Sequence, residues 1–258
     1  MTLDLPALAK IIDEAALEGR PIPMLTADHP DLDIENAYTV QRLSMARRFE
    51  RGEQLLGMKM GLTSKAKMEQ MGVHEPIYGH LTNAMKLLDG DRFQLQGCCH
   101  PRVEPEIAFT LGKDLSGDVD REQALAAIQT IHPAMEIIDS RYTNFKFTLI
   151  DVIADNTSAC AYVLGAGSSP EGIDLGTLEL ALDVGKREQL RGTSGAIYGH
   201  PLDSLRQLCV MLDRRGEGLV SGQTVLAGAA TAAVYLEAGD DVRLEIPGIG
   251  SVGFYVEG

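Results

Sequence analysis

Basic residues are scarce in this chain of 258 residues: 23 lysines and arginines face 37 aspartates and glutamates, for a net charge of −14. Nucleic acids and anionic membrane surfaces are gripped through basic patches, so neither is expected as a partner. Long apolar runs are missing as well. None reaches the length of a membrane span, and the opening Met-Thr-Leu-Asp-Leu-Pro lacks the charged-then-apolar pattern of an export signal. The four cysteines make no disulfide framework, because Cys98 and Cys99 are adjacent while Cys160 and Cys209 stand alone. A reducing cytoplasm is the expected location. No Cys-x-x-Cys or His-x-x-x-His pair supplies zinc ligands by local spacing. Gly165 and Gly167 lack the third glycine of a dinucleotide turn, and Pro170 obstructs the helix that would receive the phosphate. There is no Gly-Lys-Ser/Thr phosphate loop and no Gly-x-Ser-x-Gly elbow; Thr193-Ser194 lies in a glycine-rich turn instead.

What is present is enough apolar residue, 45%, to bury a good core in one large domain. Leu5, Leu8, Ile11, Ile12 and Ala15 fall on one helical stripe within residues 3–18. A second helix is expected from Ile34 to Gly52, with Ala37, Val40, Leu43, Ala46 and Phe49 inward and Arg, Glu and Gln outward. Residues 1–52 thus read as a helical section packed on a β-rich core, 53–258, within a single domain. Beyond Gly57 the pattern becomes a strand at 58–62, a helix at 65–71 opened by Thr63-Ser64, a loop at 75–79 and hairpin-like strands around Asp89-Gly90. A helix is expected over 121–131 and a strand over 134–139, then a helix over 201–214 and meander-like β structure to the end.

The residues that ask for a chemical explanation lie in His100-Pro-Arg-Val-Glu-Pro-Glu-Ile-Ala-Phe. On an extended strand Glu104, Glu106 and Ala108 share one face and Val103, Ile107 and Phe109 the other. The two carboxylates then sit roughly 7 Å apart along the strand and repel unless a cation lies between them. The bland alternative is a solvated strand face. Pro105 withholds a ladder donor, which places it at an edge, a bulge or a mouth. Glu136 sits among Ala, Met and Ile, where an ionised carboxylate needs a partner, either an arginine such as nearby Arg141 or a metal. Lys59 is a cation on a strand leading into a turn whose free amides suit an anion; a lysine reaching solvent from a strand edge fits the spacing equally well.

Several stretches together resemble one family. They are Gly57-Met-Lys-Met-Gly-Leu-Thr-Ser-Lys-Ala, Gly72-Val-His-Glu-Pro-Ile-Tyr-Gly, the Glu-Pro-Glu strand, Glu136-Ile-Ile-Asp-Ser-Arg-Tyr-Thr-Asn-Phe-Lys-Phe, Ala154-Asp-Asn-Thr-Ser, Gly199-His-Pro-Leu and Gly248-Ile-Gly-Ser-Val. In this order they look like the hydratase/decarboxylase family of the catechol meta-cleavage pathway, within the fumarylacetoacetate-hydrolase-like enzymes. The resemblance implies an α+β fold, a β-rich mixed sandwich or roll with peripheral helices. It implies Mg2+ or Mn2+ held by Glu104, Glu106 and Glu136, with Lys59 and Asp155 as catalytic residues. Leu62, Ser158, Thr231 and Lys146 are its further candidates for gripping substrate; for Lys146 the alternative is a surface lysine. Three carboxylate ligands leave about three octahedral positions, two of which a 2-oxo acid fills.

The implied activity is decarboxylation of an unsaturated 2-oxo dicarboxylate. Ile77 stands where the family's hydratases resemble Pro-Asp-Phe/Tyr-Gly, and Ile77 cannot activate water as an aspartate would. Hydration of a 2-hydroxydienoate, a non-catalytic partner subunit, and a hydrolase using a His–Glu pair such as His74-Glu75 are the alternatives. The resemblance also implies a homo-oligomer and a complex with the pathway's hydratase.

Overall fold

The computed structural model describes residues 3–64, 68–69 and 75–258. Helix α1 (Leu5–Glu18) starts where the Asp4 carboxylate accepts the Ala7 amide proton at 3.1 Å, and it stops at Gly19, φ +60°, a left-handed cap. A single turn, α2 (Leu25–Asp28), leads to α3 (Ile34–Glu50), capped by Asp33 on the Asn36 amide at 2.7 Å. The buried face of α3 is Ala37, Tyr38, Val40, Gln41, Ser44 and Met45. This corrects the expected stripe: Leu43 and Ala46 are half-buried and Phe49 is exposed. Gln41 explains the rotation, because its amide donates inward to the Tyr78 and Ile153 carbonyls at 3.0 and 2.8 Å, so a polar residue belongs to the packed face. Asp13 of α1, nearly inaccessible, takes Arg47 at 2.8 Å and Arg51 at 2.6 Å and so ties the two helices together.

Strands β1 (Leu55–Gly61), β2 (Ile77–Thr82), β3 (Lys86–Leu87), β5 (Arg102–Leu111), β6 (Ile128–Ile138), β7 (Ala159–Leu164), β10 (Thr224–Ala229) and β11 (Val234–Tyr235) form an eight-stranded mixed sheet. Its order is β2-β1-β10-β5-β6-β7-β3, with β11 following β10 along the same side of β5. Strands β4 (Arg92–Gln94), β8 (Glu179–Val184), β9 (Glu188–Thr193), β12 (Asp241–Ile246) and β13 (Gly250–Glu257) form the second sheet, in the order β4-β13-β12-β8-β9. Helix α4 (Arg121–Ala127) packs on α6 (Pro201–Asp213), which lies against β10, while α5 (Leu149–Ala154) packs on α3.

Strand β5 is central, which is why both of its faces are buried. Val103, Ile107 and Phe109 share one apolar core with Leu182, Leu244 and Phe254 of the second sheet, each large side chain contributing about 1.5–3 kcal/mol by leaving water. The other face carries Glu104, Glu106 and Ala108. Pro105 is therefore not at an edge. It lies where β10 hands over to β11, at a register shift between Leu226 and Ala229, a place where no ladder donor is needed.

Other local expectations change for identifiable reasons. Asp89-Gly90 does not close a hairpin: β3 pairs with β7 in one sheet and β4 with β13 in the other, so the turn is a crossover. The segment expected as a loop at 75–79 enters β2 at Ile77. Helix α4 ends at Ala127 and β6 starts at Ile128; the i, i+3 spacing of Ile128 and Ile131 reads as a helical stripe, and both are buried in the strand across a register shift opposite Thr110–Leu111. The expected helix at 65–71 lies outside the described residues apart from 68–69.

Candidate metal centre and substrate cavity

The register of the β5–β6 pair assembles the site. Glu104 stands directly opposite Glu136, and Glu106 follows one repeat along β5 on the same face. Ligand oxygens of the three carboxylates lie within 4.8 Å of one another. Their exposures are 7%, 0% and 0% for Glu104, Glu106 and Glu136. Lys59 reaches the same face from two strands away, since β1 pairs with β10 at Leu226 and Leu226 pairs with Ala108. Its ammonium, 2% exposed, stands 3.0 Å from Glu136 Oε2 and donates to the Thr157 carbonyl at 3.0 Å. The partner of Glu136 is thus Lys59, not Arg141.

Three buried carboxylates against one ammonium is an electrostatic deficit. Burial, reinforced by the Glu136 charge, holds the Glu106 carboxyl well above the ordinary range, and burial pushes Glu136 up to about 7 against the pull of Lys59. Glu106 Oε1 and Glu136 Oε1 have no hydrogen-bond partner among the described residues, while Glu106 Oε2 accepts the Gly228 amide at 2.7 Å. Orphaned buried oxygens, all hard donors, fit a divalent cation such as magnesium or manganese. Gly228 has φ +119°, and a Cβ there would meet Thr63 Oγ1 at 2.3 Å, so only glycine can bring its amide to Glu106.

A cavity of about 360 Å³ opens onto Lys59 and Glu104, walled by Leu62, Ile77, Phe145, Phe147, Val152 and Ser158, with Arg102 also on its lining. A larger hollow of about 540 Å³ lies over β12 and β13 of the second sheet, away from the carboxylates, so size alone does not locate the chemistry.

The turn after α5 shapes one wall. Asn156, Thr157 and Ser158 have φ of +48°, +53° and +58°, three successive side-chain-bearing residues in left-handed conformation. Such strain persists only where surroundings over-determine it. Here Asn156 clasps His80 of β2 through both its amide groups, at 2.8 and 2.9 Å, and the Thr157 hydroxyl donates to the Tyr78 carbonyl at 2.7 Å. The turn presents the Thr157 carbonyl to Lys59 and leaves the Ser158 hydroxyl buried without a partner among the described residues. Gly79 lies beneath it, and a Cβ there would meet the Asn156 carbonyl oxygen at 2.5 Å. Gly79→Ala is expected to lower stability by roughly 1–3 kcal/mol, as overpacking does, with the melting temperature as the measurement; an unchanged melting point would show that the turn yields freely.

The remaining sequence candidates separate. Leu62 (φ +55°) and Ser158 line the cavity. Asp155 does not: it is fully buried, pairs with the Arg141 guanidinium and accepts the Arg141 amide at 3.0 Å, and burial pushes its carboxyl up to about 6. Thr231 turns its hydroxyl to the Ala232 carbonyl at 3.1 Å and is not on the lining, although Ala232 and Ala233 are. Lys146 is exposed and is not on the lining, while its neighbours Phe145 and Phe147 line the cavity. His74 lies outside the described residues, and His100 packs edge-on to Phe145 at 6.3 Å between ring centres. Arg102 was not picked out from sequence, yet it shares the parity of Glu104 and Glu106, a signal that places all three on one face. Cys98, Asp139 and Cys160 also converge within 4.8 Å, but Asp139 already accepts the amides of Cys99 and His100 as a loop clamp.

The chain is similar to known proteins over nearly its whole length. Residues 60–257 match the family model described as fumarylacetoacetate (FAA) hydrolase C-terminal. The chain is 46% identical to a 4-oxalocrotonate decarboxylase from a Pseudomonas species over 97% of both chains. It is 35% identical to a 2-keto-4-pentenoate hydratase from Paraburkholderia xenovorans (strain LB400), over 95% of this chain and 91% of that one. A solved 4-oxalocrotonate decarboxylase from Pseudomonas putida G7, complexed with magnesium and adipate, superposes with a TM-score of 0.96 at 38% identity, over 99% of each chain.

Proposed function

The chain belongs to the fumarylacetoacetate hydrolase family, and from that premise we propose that it is a divalent-metal-dependent carboxy-lyase that converts 4-oxalocrotonate (2-oxohex-3-enedioate) to 2-hydroxypenta-2,4-dienoate and carbon dioxide. The observation that carries this over hydration is the composition of the cavity wall. Among the described residues its ionisable groups are Lys59, Arg102 and Glu104 alone, and Ile77, which stands where the family's hydratases resemble Pro-Asp-Phe/Tyr-Gly, lines it and cannot activate water.

Glu104, Glu106 and Glu136 would hold the ion, which as a Lewis acid draws negative charge toward the oxygen of a chelated 2-oxo acid. Breaking the C5–C6 bond releases carbon dioxide, and its electron pair passes through the conjugated chain to the 2-oxygen. Lys59 holds a proton at Nζ for that oxygen and balances charge gathering there. Phe145, Phe147, Ile77 and Val152 exclude water where the carboxylate turns into neutral carbon dioxide. The Ser158 hydroxyl and the chain at Leu62 orient the substrate's 2-oxo acid end. Asp155 acts as a positioning residue, fixing Arg141 and with it the strained turn that aims Thr157 and Ser158.

The same reading treats residues 1–258 as one catalytic domain, working as a cytoplasmic homo-oligomer in the meta-cleavage route of aromatic degradation beside the hydratase that consumes its product. No helix of the described residues is long and apolar enough to cross a membrane. The test is carbon dioxide release from 2-oxohex-3-enedioate with magnesium. Rapid release that stops with a chelator is expected; hydration of 2-hydroxypenta-2,4-dienoate without release would reverse the assignment.

A further inference from the structure

We propose that Arg102 is a substrate-binding residue of the cavity: its guanidinium, packed against the Phe145 and Tyr235 rings, receives the carboxylate at the far end of the substrate. This rests on the reading of the site as one for 2-oxo acids and adds what sits beyond the chelating end. Arg102 precedes Glu104 by one strand repeat on the same face of β5, about 7 Å, which is of the order of the span between the ends of a conjugated six-carbon diacid. The guanidinium carbon lies 3.8 Å from the Phe145 ring centre and 4.0 Å from that of Tyr235. Packed against two rings, the planar guanidinium keeps the fork of donors that meets a carboxylate with paired hydrogen bonds. One edge donor, Nη2, holds the Tyr235 hydroxyl at 2.6 Å, while Nε is buried without a partner among the described residues. No carboxylate pairs with Arg102 among those residues, in a chain where acids outnumber bases 37 to 23. Lys59, the other cation on the lining, is already engaged by Glu136 and Thr157.

The contact also shapes the kinetics. The far carboxylate is bound as an anion and leaves as neutral carbon dioxide, so Arg102 holds the substrate and loses its hold as the C5–C6 bond breaks. A contact that fades toward the transition state lowers KM and kcat together, so its loss raises both.

The experiment is calorimetric titration of the magnesium-loaded full chain with adipate (a six-carbon diacid), hexanoate (its monoacid counterpart) and oxalate (the chelating end alone), on the wild type, Arg102→Gln and Arg102→Lys. Wild type is expected to prefer adipate to hexanoate. Arg102→Gln should weaken adipate on the order of 10- to 100-fold while changing hexanoate and oxalate by less than about threefold, with Arg102→Lys between. In turnover, KM and kcat should both rise in Arg102→Gln. Equal losses for adipate and hexanoate, no preference in the wild type, or loss of oxalate binding in Arg102→Gln would each overturn the assignment, the last by showing Arg102 to be a support of the metal centre. A wild type that prefers adipate yet releases no carbon dioxide would remove the proposed reaction and leave the role of Arg102 standing.

Discussion

Glu106→Gln is expected to abolish turnover, by roughly 10³-fold or more in kcat/KM, and at the same time to raise the melting temperature of the metal-free protein. The first effect follows from losing a charged ligand and with it several kcal/mol of charge stabilisation at the reacting oxygen. The second follows from the electrostatics of the bare site. Glu106 is fully buried, its Oε1 has no partner among the described residues, and burial plus the Glu136 charge already hold its carboxyl well above the ordinary range. A neutral amide of the same shape removes that repulsion. Linkage gives the pH dependence its sign. Glu136 titrates at about 7 in the fold and at about 4.3 when unfolded, so between those values the native state binds more protons. The associated stability is complete below about pH 4.3 and is lost as pH rises through about 7. Magnesium must displace these protons, so its stabilising effect should grow from pH 6 to pH 8. Thermal melts with magnesium and with a chelator at both pH values read all of this. A metal-free Glu106→Gln protein that melts below wild type, or that keeps the wild-type magnesium shift, would remove Glu106 from the ligand set.

How much of this site was legible beforehand depends on the range of the interaction. The parity of Glu104 and Glu106 is local and readable, because strand alternation needs only neighbouring residues. That Glu136 faces Glu104 depends on register between strands some thirty residues apart, which local pattern does not encode. Lys59 was ambiguous between solvent and site, because its burial depends on β10, more than 160 residues downstream. Lys146 misled for a different reason. Phe145 and Phe147 line the cavity and Lys146 between them is exposed, which is plain alternation, so the sequence left open which of the two faces meets the cavity. For Asp155 the sequence could not tell a catalytic aspartate from the arginine-locking one that the structure shows, since the two look alike in sequence. The fold class, the helical N-terminal section and the acidic triad were recoverable from motif order; the crossover at Asp89-Gly90 was not, because the same turn chemistry serves a hairpin and a passage between sheets.

Lys59→Met separates what the lysine does for the fold from what it does for the reaction. Removing the ammonium leaves three carboxylates buried together and deprives the Thr157 carbonyl of its donor. Breaking a buried pair in this way costs roughly 3–5 kcal/mol, so the metal-free variant should melt well below wild type. A divalent ion replaces the missing positive charge, and saturating magnesium should recover most of the lost stability. The rate should not recover with it. The proton at Nζ belongs to the side chain and not to the ion, and loss of a positioned proton donor lowers turnover by about 10²- to 10⁴-fold. The informative comparison is therefore stability and kcat measured on the same magnesium-loaded sample. Restored melting with depressed kcat assigns Lys59 to the chemistry, whereas restored melting with kcat within tenfold of wild type would make it a counter-charge that holds the glutamates together until the metal arrives.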